Sequence, residues 1–304
     1  MTPPFCVCVP ARNEAARLPR LFEALAAQDV DGLIPIALCI NNSDDGSAEL
    51  VRVIAARPGS RLQLHLDEAS FPPALAHAGS ARRRAMDLGA AVSPAGLLLS
   101  TDADCRPPPS WIGANLAASA GGANMIGGRI VIDPEEPLAP LVQNARHLWD
   151  AYWERVRAIE DAIDPRPWDP APRHGDHTGA SLALPTSLYR AAGGVPLLAL
   201  GEDRALVDAA ITVGGRLAHP ASVWTYVSPR QDGRAAGGMA DDMRRLHGEA
   251  GMGDALVAPA FTHWQARAEW RRALRGHPQG ERRIVQEEAA LPPMPHDMRL
   301  ADAA

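Results

Sequence analysis

An α/β fold, with a mostly parallel Rossmann-like sheet flanked by helices, a smaller region after it and a helical C-terminus, is predicted by three observations. The first third of the chain alternates apolar strands with amphipathic helices, as a parallel sheet requires. Each strand runs into a polar turn carrying Asn, Asp or Gly, which puts those turns along one edge of the sheet, where open α/β sheets bind ligands. The fourth apolar run, Leu97-Leu98-Leu99, ends in two carboxylates, Asp102 and Asp104. With 304 residues, 46% of them hydrophobic, the chain is long enough to bury a sizeable core.

Taken in order, Phe5 to Val9 is a short apolar strand, and Leu18, Leu21, Phe22 and Leu25 then recur at i, i+3, i+4 and i+7, one face of a helix. Leu33 to Ile40 is the second strand. It enters a polar turn whose Ser47 is placed to cap a helix carrying Val51, Ile54 and Ala55 inward. Leu62 to Leu66 is a third strand, residues 78–92 a third helix, and the run ending at Asp102 the fourth strand. Beyond Cys105 the prolines 107–109 break the alternation, and Met125 to Ile132 reads as one further strand. Residues 143–163 form a long amphipathic helix with Leu148, Trp149, Tyr152, Trp153, Val156, Ile159 and Ile163 on its apolar side, a stripe that either packs in the core or lines a groove. Prolines spaced through 164–175 remove donors and fix φ, so this stretch is a surface loop or lid. Residues 239–290 are helical and Arg-rich, and the tail from Leu291 reads as a frayed end.

Composition removes several function classes. A net charge of −6 argues against a nucleic-acid partner held by phosphate neutralisation. All 30 basic residues are arginine, which excludes Schiff-base chemistry, P-loop phosphate binding and phosphatases that pair an Asp-x-Asp nucleophile with lysine. No Gly-x-Gly-x-x-Gly follows any predicted strand, so the chain does not read as a dehydrogenase. Cys6, Cys8, Cys39 and Cys105 lack Cys-x-x-Cys spacing and are expected to be buried reduced thiols. The chain has no apolar run of membrane-spanning length, and Met-Thr-Pro-Pro-Phe lacks a basic region ahead of a cleavage site, so cytoplasmic residence is the expectation.

Asp102 and Asp104 carry the clearest chemistry. In an extended backbone residues two apart point to one face, so two negative charges leave the core together. Such a pair either solvates a strand end or holds a divalent cation. Mg²⁺ in particular is bound by one or two carboxylates while phosphates and water complete its shell. His174, Asp176 and His177 form a second cluster, which is either solvated, a source of a third metal ligand or a contact to a substrate.

The order Val9-Pro10-Ala11-Arg12-Asn13-Glu14, Asn41-Asn42-Ser43-x-Asp45-Gly46-Ser47, Gly79-Ser80-Ala81-Arg82, Thr101-Asp102-Ala103-Asp104, Gly179-Ala180-Ser181 and Gly201-Glu202-Asp203 resembles the family 2 glycosyltransferases of GT-A fold. The resemblance spans residues 5–235. It implies a GT-A domain over 1–235, with a nucleotide-sugar half at 1–105 and an acceptor half at 106–235, then a helical extension over 236–290 and a flexible tail over 291–304.

It further implies an inverting, metal-dependent enzyme of hexosyltransferase type that moves one sugar from a nucleotide-diphosphate sugar to a hydroxyl acceptor. By the same resemblance Pro10, Ala11, Arg12, Glu14 and Asn42 face the nucleoside. Arg82 lies near the diphosphate or sugar. Asp102, Ala103 and Asp104 form the metal-diphosphate motif, with Mg²⁺ or Mn²⁺ on the two carboxylates. Asp203 is the catalytic base, with Glu202 as its neighbour and partial alternative. Asn41-Asn42 stands where the family has an acidic pair, and simple turn chemistry is the other reading of these amides. An acid-rich helix start likewise accounts for Glu202-Asp203. Arg230 and Arg234 follow a strand and either clamp the diphosphate or form surface ion pairs. The rival functions are a sugar-phosphate nucleotidylyltransferase, whose lysine-bearing Gly-rich signature is missing, and a non-catalytic nucleotide- or glycan-binding module.

Overall fold

The computed structural model describes residues 4–233, 238–252 and 256–303. In chain order the first elements are β1 (Phe5–Ala11), α1 (Leu18–Ala26), β2 (Ile34–Asn41), α2 (Ser47–Ala55), β3 (Leu62–Ala69), α3 (Ala78–Val92) and β4 (Leu97–Ser100). There follow β5 (Cys105–Arg106), α4 (Trp111–Ala120), β6 (Met125–Gly127), β7 (Arg129–Ile132), α5 (Pro140–Ile163), β8 (Leu182–Pro185), α6 (Thr186–Ala191) and α7 (Glu202–Thr212). The chain continues through β9 (Leu217–Ala218), β10 (Trp224–Val227), α8 (Met239–Met252), β11 (Val257–Ala258), α9 (Phe261–Arg275), α10 (Gly280–Glu288) and β12 (Met298–Arg299). It divides into two compact units, Met1–Asp133 with Asp176–Ser228, and Pro134–Gly175 with Pro229–Ala304.

The first unit holds a seven-stranded sheet in the order β3-β2-β1-β4-β8-β6-β9. β3, β2, β1 and β4 run parallel, while β8 is antiparallel to both β4 and β6. Val7 of β1 pairs with Ile36 on one side and Leu99 on the other. Strand order reverses at β1, so a crevice opens between the carboxyl ends of β1 and β4, where this class of sheet receives its ligands.

Because both faces of β1 are covered, its apolar run is continuous rather than alternating. Phe5, Val7 and Val9 pack with Leu18, Phe22, Val51 and Trp111 on one face; Cys6 and Cys8 pack with Ala85, Met86 and Leu206 on the other. Each fully buried Leu or Phe contributes about 1.5–3 kcal/mol relative to an exposed one. The four cysteines are buried free thiols. Gly89 lets α3 approach the sheet, since a Cβ there would lie 2.5 Å from Cys8 Sγ.

Two local expectations change in this unit. Residues 125–132 are two strands in different sheets, because β7 leaves to pair with β10 beside β5. The break falls at Gly127-Gly128, where the backbone passes too close to its neighbours for a side chain. A Cβ on Gly127 would lie 2.3 Å from the Asp176 carbonyl, and one on Gly128 2.1 Å from Ser181 Oγ. Ser47 is the first residue of α2 rather than its cap, a position taken by Gly46 at φ +80°.

In the second unit α5 packs against α8 and α9. Val142 and Ala145 meet Met243 and Leu246, and Tyr152 and Val156 meet Ala258, Leu300 and Phe261. Of the α5 stripe, Tyr152 and Val156 are core, Leu148 and Trp149 pack half-buried against it, and Trp153 stays exposed. Tyr152 is fully buried, stacks 5.6 Å from Phe261, donates to the Pro259 carbonyl (2.8 Å) and accepts from Trp264 Nε1 (2.6 Å). Residues 164–175 are a loop, as expected, and ion pairs hold it to the helices beside it. Arg173 bonds Asp161 (2.5 Å) and Glu160 (3.1 Å), and Arg275 bonds Asp164 (2.8 Å). The expected frayed end is ordered where β12 pairs antiparallel with β11 and Leu300 enters the α5 core. α5 lies in this unit.

Candidate active site

The turns after β1 and β2 are laced together. Asn13, at φ +52°, accepts from Asp44 N (2.9 Å) and donates its own N–H to Ser43 Oγ (2.9 Å). Glu14 N donates to Ser47 Oγ (3.1 Å), and Ala15 N to Asp45 Oδ2 (2.8 Å). Burial works to raise the Asp45 carboxyl, but the Ser47 hydroxyl and the amides of Ala15 and Ser47 outweigh it and hold it below its usual range. The Asn-Glu and Asp-Gly-Ser motifs thus shape one another's turn. Pro10 and Ala11 end β1, and Arg12 Nη1 donates to the Ala76 carbonyl (2.9 Å). Asn42, at φ +45°, gives its amide to the backbone of Phe71: Nδ2 donates to the carbonyl (2.9 Å), and Oδ1 accepts from the N–H (3.1 Å). A recess of about 390 Å³ opens beside this turn between Asn42, Asp44, Glu49, Arg52 and Glu68.

β4 stops at Ser100, and Asp102 to Cys105 form a turn closed by the Cys105 N–H on the Asp102 carbonyl (3.1 Å). The two carboxylates therefore converge through a turn and not through strand alternation, as the sequence suggested, while Ala103 between them is buried in the core. Ligand atoms of Asp102, Asp104 and Cys105 lie within 4.8 Å of one another, and among the described residues no other such group is found. Cys105 was given no part by sequence reasoning. Burial, then the charges of Asp102 and Asp104, push its thiol well up.

Arg82 of α3 is buried at the centre. Nε donates to Glu202 Oε1 (3.0 Å), Nη1 to Ser100 Oγ (2.8 Å) and the Gly179 carbonyl (3.1 Å), and Nη2 to Asp102 Oδ1 (2.8 Å). Burial opposes its charge, yet Asp102, Glu202 and Asp203 raise its pKa. Glu202 and Asp203 open α7 after Gly201 at φ +73°. Glu202 is buried against Arg82. Asp203 accepts from Gly179 N at Oδ2 (2.8 Å) and from Arg204 N at Oδ1 (2.7 Å).

The structure thus brings Arg82, Asp102, Asp104, Glu202 and Asp203 into one connected group. In the sequence Ser100 reads as no more than the polar end of an apolar run, and Gly179 as part of a motif. Arg230 belongs to the second unit, and Arg234 lies outside the described residues. Asp176 accepts from the Ile130 N–H (3.1 Å), and His177 meets His219 edge to face at 6.0 Å. No helix among the described residues is long and apolar enough to cross a membrane.

Solved structures share this architecture. One is a TarS 1–349 fragment from S. aureus in complex with UDP-GlcNAc, with TM-score 0.52, 14% identity, and 89% of this chain and 72% of that chain covered. Another is the mannosyltransferase PcManGT from Pyrobaculum calidifontis with GDP-Man and Mn²⁺, with TM-score 0.51, 16% identity, and 95% and 81% covered. At these identities the likeness speaks to the GT-A fold. No curated protein sequence matches the chain. The family described as Glycosyl transferase family 2 matches residues 6–167, more than half of the 304 residues, and takes in the laced turns, Arg82 and the Asp-x-Asp turn. The chain belongs to glycosyl transferase family 2.

Proposed function

We propose that the protein transfers one sugar from a nucleotide-diphosphate sugar to a hydroxyl acceptor, with inversion at the anomeric carbon and with Mg²⁺ or Mn²⁺ as cofactor. The observation that carries this reading is the convergence of Asp102 and Asp104 at the carboxyl end of β4, joined through Arg82 and Gly179 to the helix start that bears Asp203. The carboxylate pair fits a hard divalent cation, which leaves further positions for phosphate oxygens and water. Cys105, kept protonated by burial, does not turn it into a soft thiolate site. A bound cation supplies neutralisation of the charge that grows on the departing diphosphate.

Asp102 and Asp104 hold that position through their turn, and the laced β1 and β2 turns, with Pro10, Ala11, Arg12, Glu14 and Asn42, present their edge to the nucleoside. Asp203 takes the proton of the attacking hydroxyl. Two backbone N–H groups orient its carboxylate, and each oxygen keeps a lone pair. As the acceptor oxygen bonds to the anomeric carbon, the bond from that carbon to the diphosphate oxygen breaks. Its electron pair leaves with the nucleoside diphosphate, and the proton stays on Asp203. Attack opposite the leaving group inverts the centre. UDP-GlcNAc and GDP-Man in structures of similar fold, the latter with Mn²⁺, support the donor class and the ion. Four free buried thiols support a reducing compartment such as the cytoplasm.

The test is release of nucleoside diphosphate from a panel of UDP, GDP and dTDP sugars with Mn²⁺ and candidate acceptors. Asp203→Asn is expected to lower kcat by about 10²–10⁴ while donor binding persists, and Asp104→Ala to remove the metal dependence. Undiminished turnover by Asp203→Asn, or by Asp104→Ala with chelator present, overturns the assignment.

A further inference from the structure

We propose that Arg82 is a positioning residue that fixes Asp102 and Asp203 relative to one another, and not a ligand of the donor; this rests on the roles of those two aspartates given above. All three of its nitrogens meet protein acceptors. The acceptors come from four places in the chain: Ser100 at the end of β4, Asp102 in the following turn, Gly179 before β8 and Glu202 at the start of α7. Its side chain is 5% exposed. A planar guanidinium offers donors in fixed directions, so four acceptors bound at once define where each of them sits. Ser100 Oγ also donates to the Gly179 carbonyl (3.0 Å), which closes the arrangement.

The Gly179 residue is the link to the base. Its carbonyl accepts from Arg82 and its N–H donates to Asp203. A Cβ at Gly179 would lie 2.2 Å from Arg82 Cζ, so the backbone lies directly against the guanidinium. At the other end of the strut, a Cβ at Gly79 would lie 2.2 Å from the Leu198 carbonyl and 3.1 Å from Glu202 Cβ. Two glycines from separate motifs thereby bring α3, the segment before β8 and the start of α7 into register around one cation. That cation also offsets the mutual repulsion of Asp102, Glu202 and Asp203, each of which acts on its charge.

Four measurements test the strut. Arg82→Lys keeps the charge but not the fork, and Gly179→Ala keeps every charged group and only displaces the guanidinium. With circular dichroism unchanged, both are expected to lower kcat about 100-fold, the effect of a misplacement near 1 Å. Their dissociation constants for UDP- or GDP-sugar should stay within about threefold, as for an interaction made only in the transition state. Millimolar guanidinium ion should restore part of the turnover lost in Arg82→Ala. In the wild-type protein without donor, the Arg82 Nε–H resonance, assigned by its loss in Arg82→Lys, should shift when Mg²⁺ is added. This last measurement holds even if Gly179→Ala or Arg82→Ala fails to fold.

Turnover of Gly179→Ala and Arg82→Lys near the wild-type value overturns the proposal, as does weakened donor binding with kcat retained, or a resonance indifferent to Mg²⁺. A wild-type protein that moves no sugar but whose Arg82 resonance responds to Mg²⁺ removes the proposed reaction and leaves the strut standing.

Discussion

Asn42 sits in the left-handed region with both ends of its amide closed on the Phe71 backbone, so it holds the segment after β3 as a strap. These two hydrogen bonds fix the turn, and the residue's proposed place at the nucleoside edge stands beside them. The partner lies 29 residues away, beyond the reach of any local pattern. Alanine at this site loses two hydrogen bonds of about 1 kcal/mol each and takes on a left-handed strain of about 1–2 kcal/mol. Asn42→Ala should therefore unfold at lower urea concentration, with a loss of about 3 kcal/mol. Asn42→Gly should recover the strain but not the bonds, which separates the two contributions. Arg82 makes the same point about legibility: the motif places it near the diphosphate or sugar, but nothing local shows that its side chain is almost wholly buried among protein acceptors.

At the scale of elements, α5 was legible from its apolar period, but its buried charge was not. Glu160 lies on that helix among Arg157, Arg173 and Arg271, which hold both α9 and the 164–175 loop to it. Burial raises its carboxyl, but Arg157, Arg271 and Arg173 outweigh burial and bring it down to about 2. An ordinary unfolded glutamate titrates near 4.3, so the group favours the fold in full above about that pH and loses its contribution as the pH falls toward 2. The difference amounts to about 3 kcal/mol. Melting followed by tryptophan fluorescence should show a steep loss of stability between about pH 4.5 and 2. Glu160→Gln should melt lower at neutral pH and show a shallower acid decline, and an unchanged acid profile would rule this contribution out. The prolines of the 164–175 loop announce a missing ladder. They do not announce the arginines that anchor the loop.

At the scale of the molecule, ligand binding and folding are linked. A ligand that binds only the folded protein at about 100 times its dissociation constant raises stability by about 2.7 kcal/mol. Mn²⁺ with UDP or GDP should accordingly raise the melting temperature, and Asp104→Ala should erase the gain from the metal while leaving the ligand-free melt close to that of the wild type. A rise that survives Asp104→Ala would place the ion elsewhere. The first four strands of the sheet, the helices between them and the emergence of Asp102 and Asp104 at its carboxyl edge were available from the sequence, because strand alternation, helix period and turn chemistry are properties of near neighbours in the chain. The sequence alone determined that β1, β2 and β4 would be buried on both faces and that an acidic pair would follow the fourth strand. Only the tertiary structure decided that Arg82 faces inward to Glu202 and Gly179, 120 and 97 residues away, and that β7 leaves the main sheet. Such contacts exist only once the chain has closed on itself, and no period or local spacing encodes them.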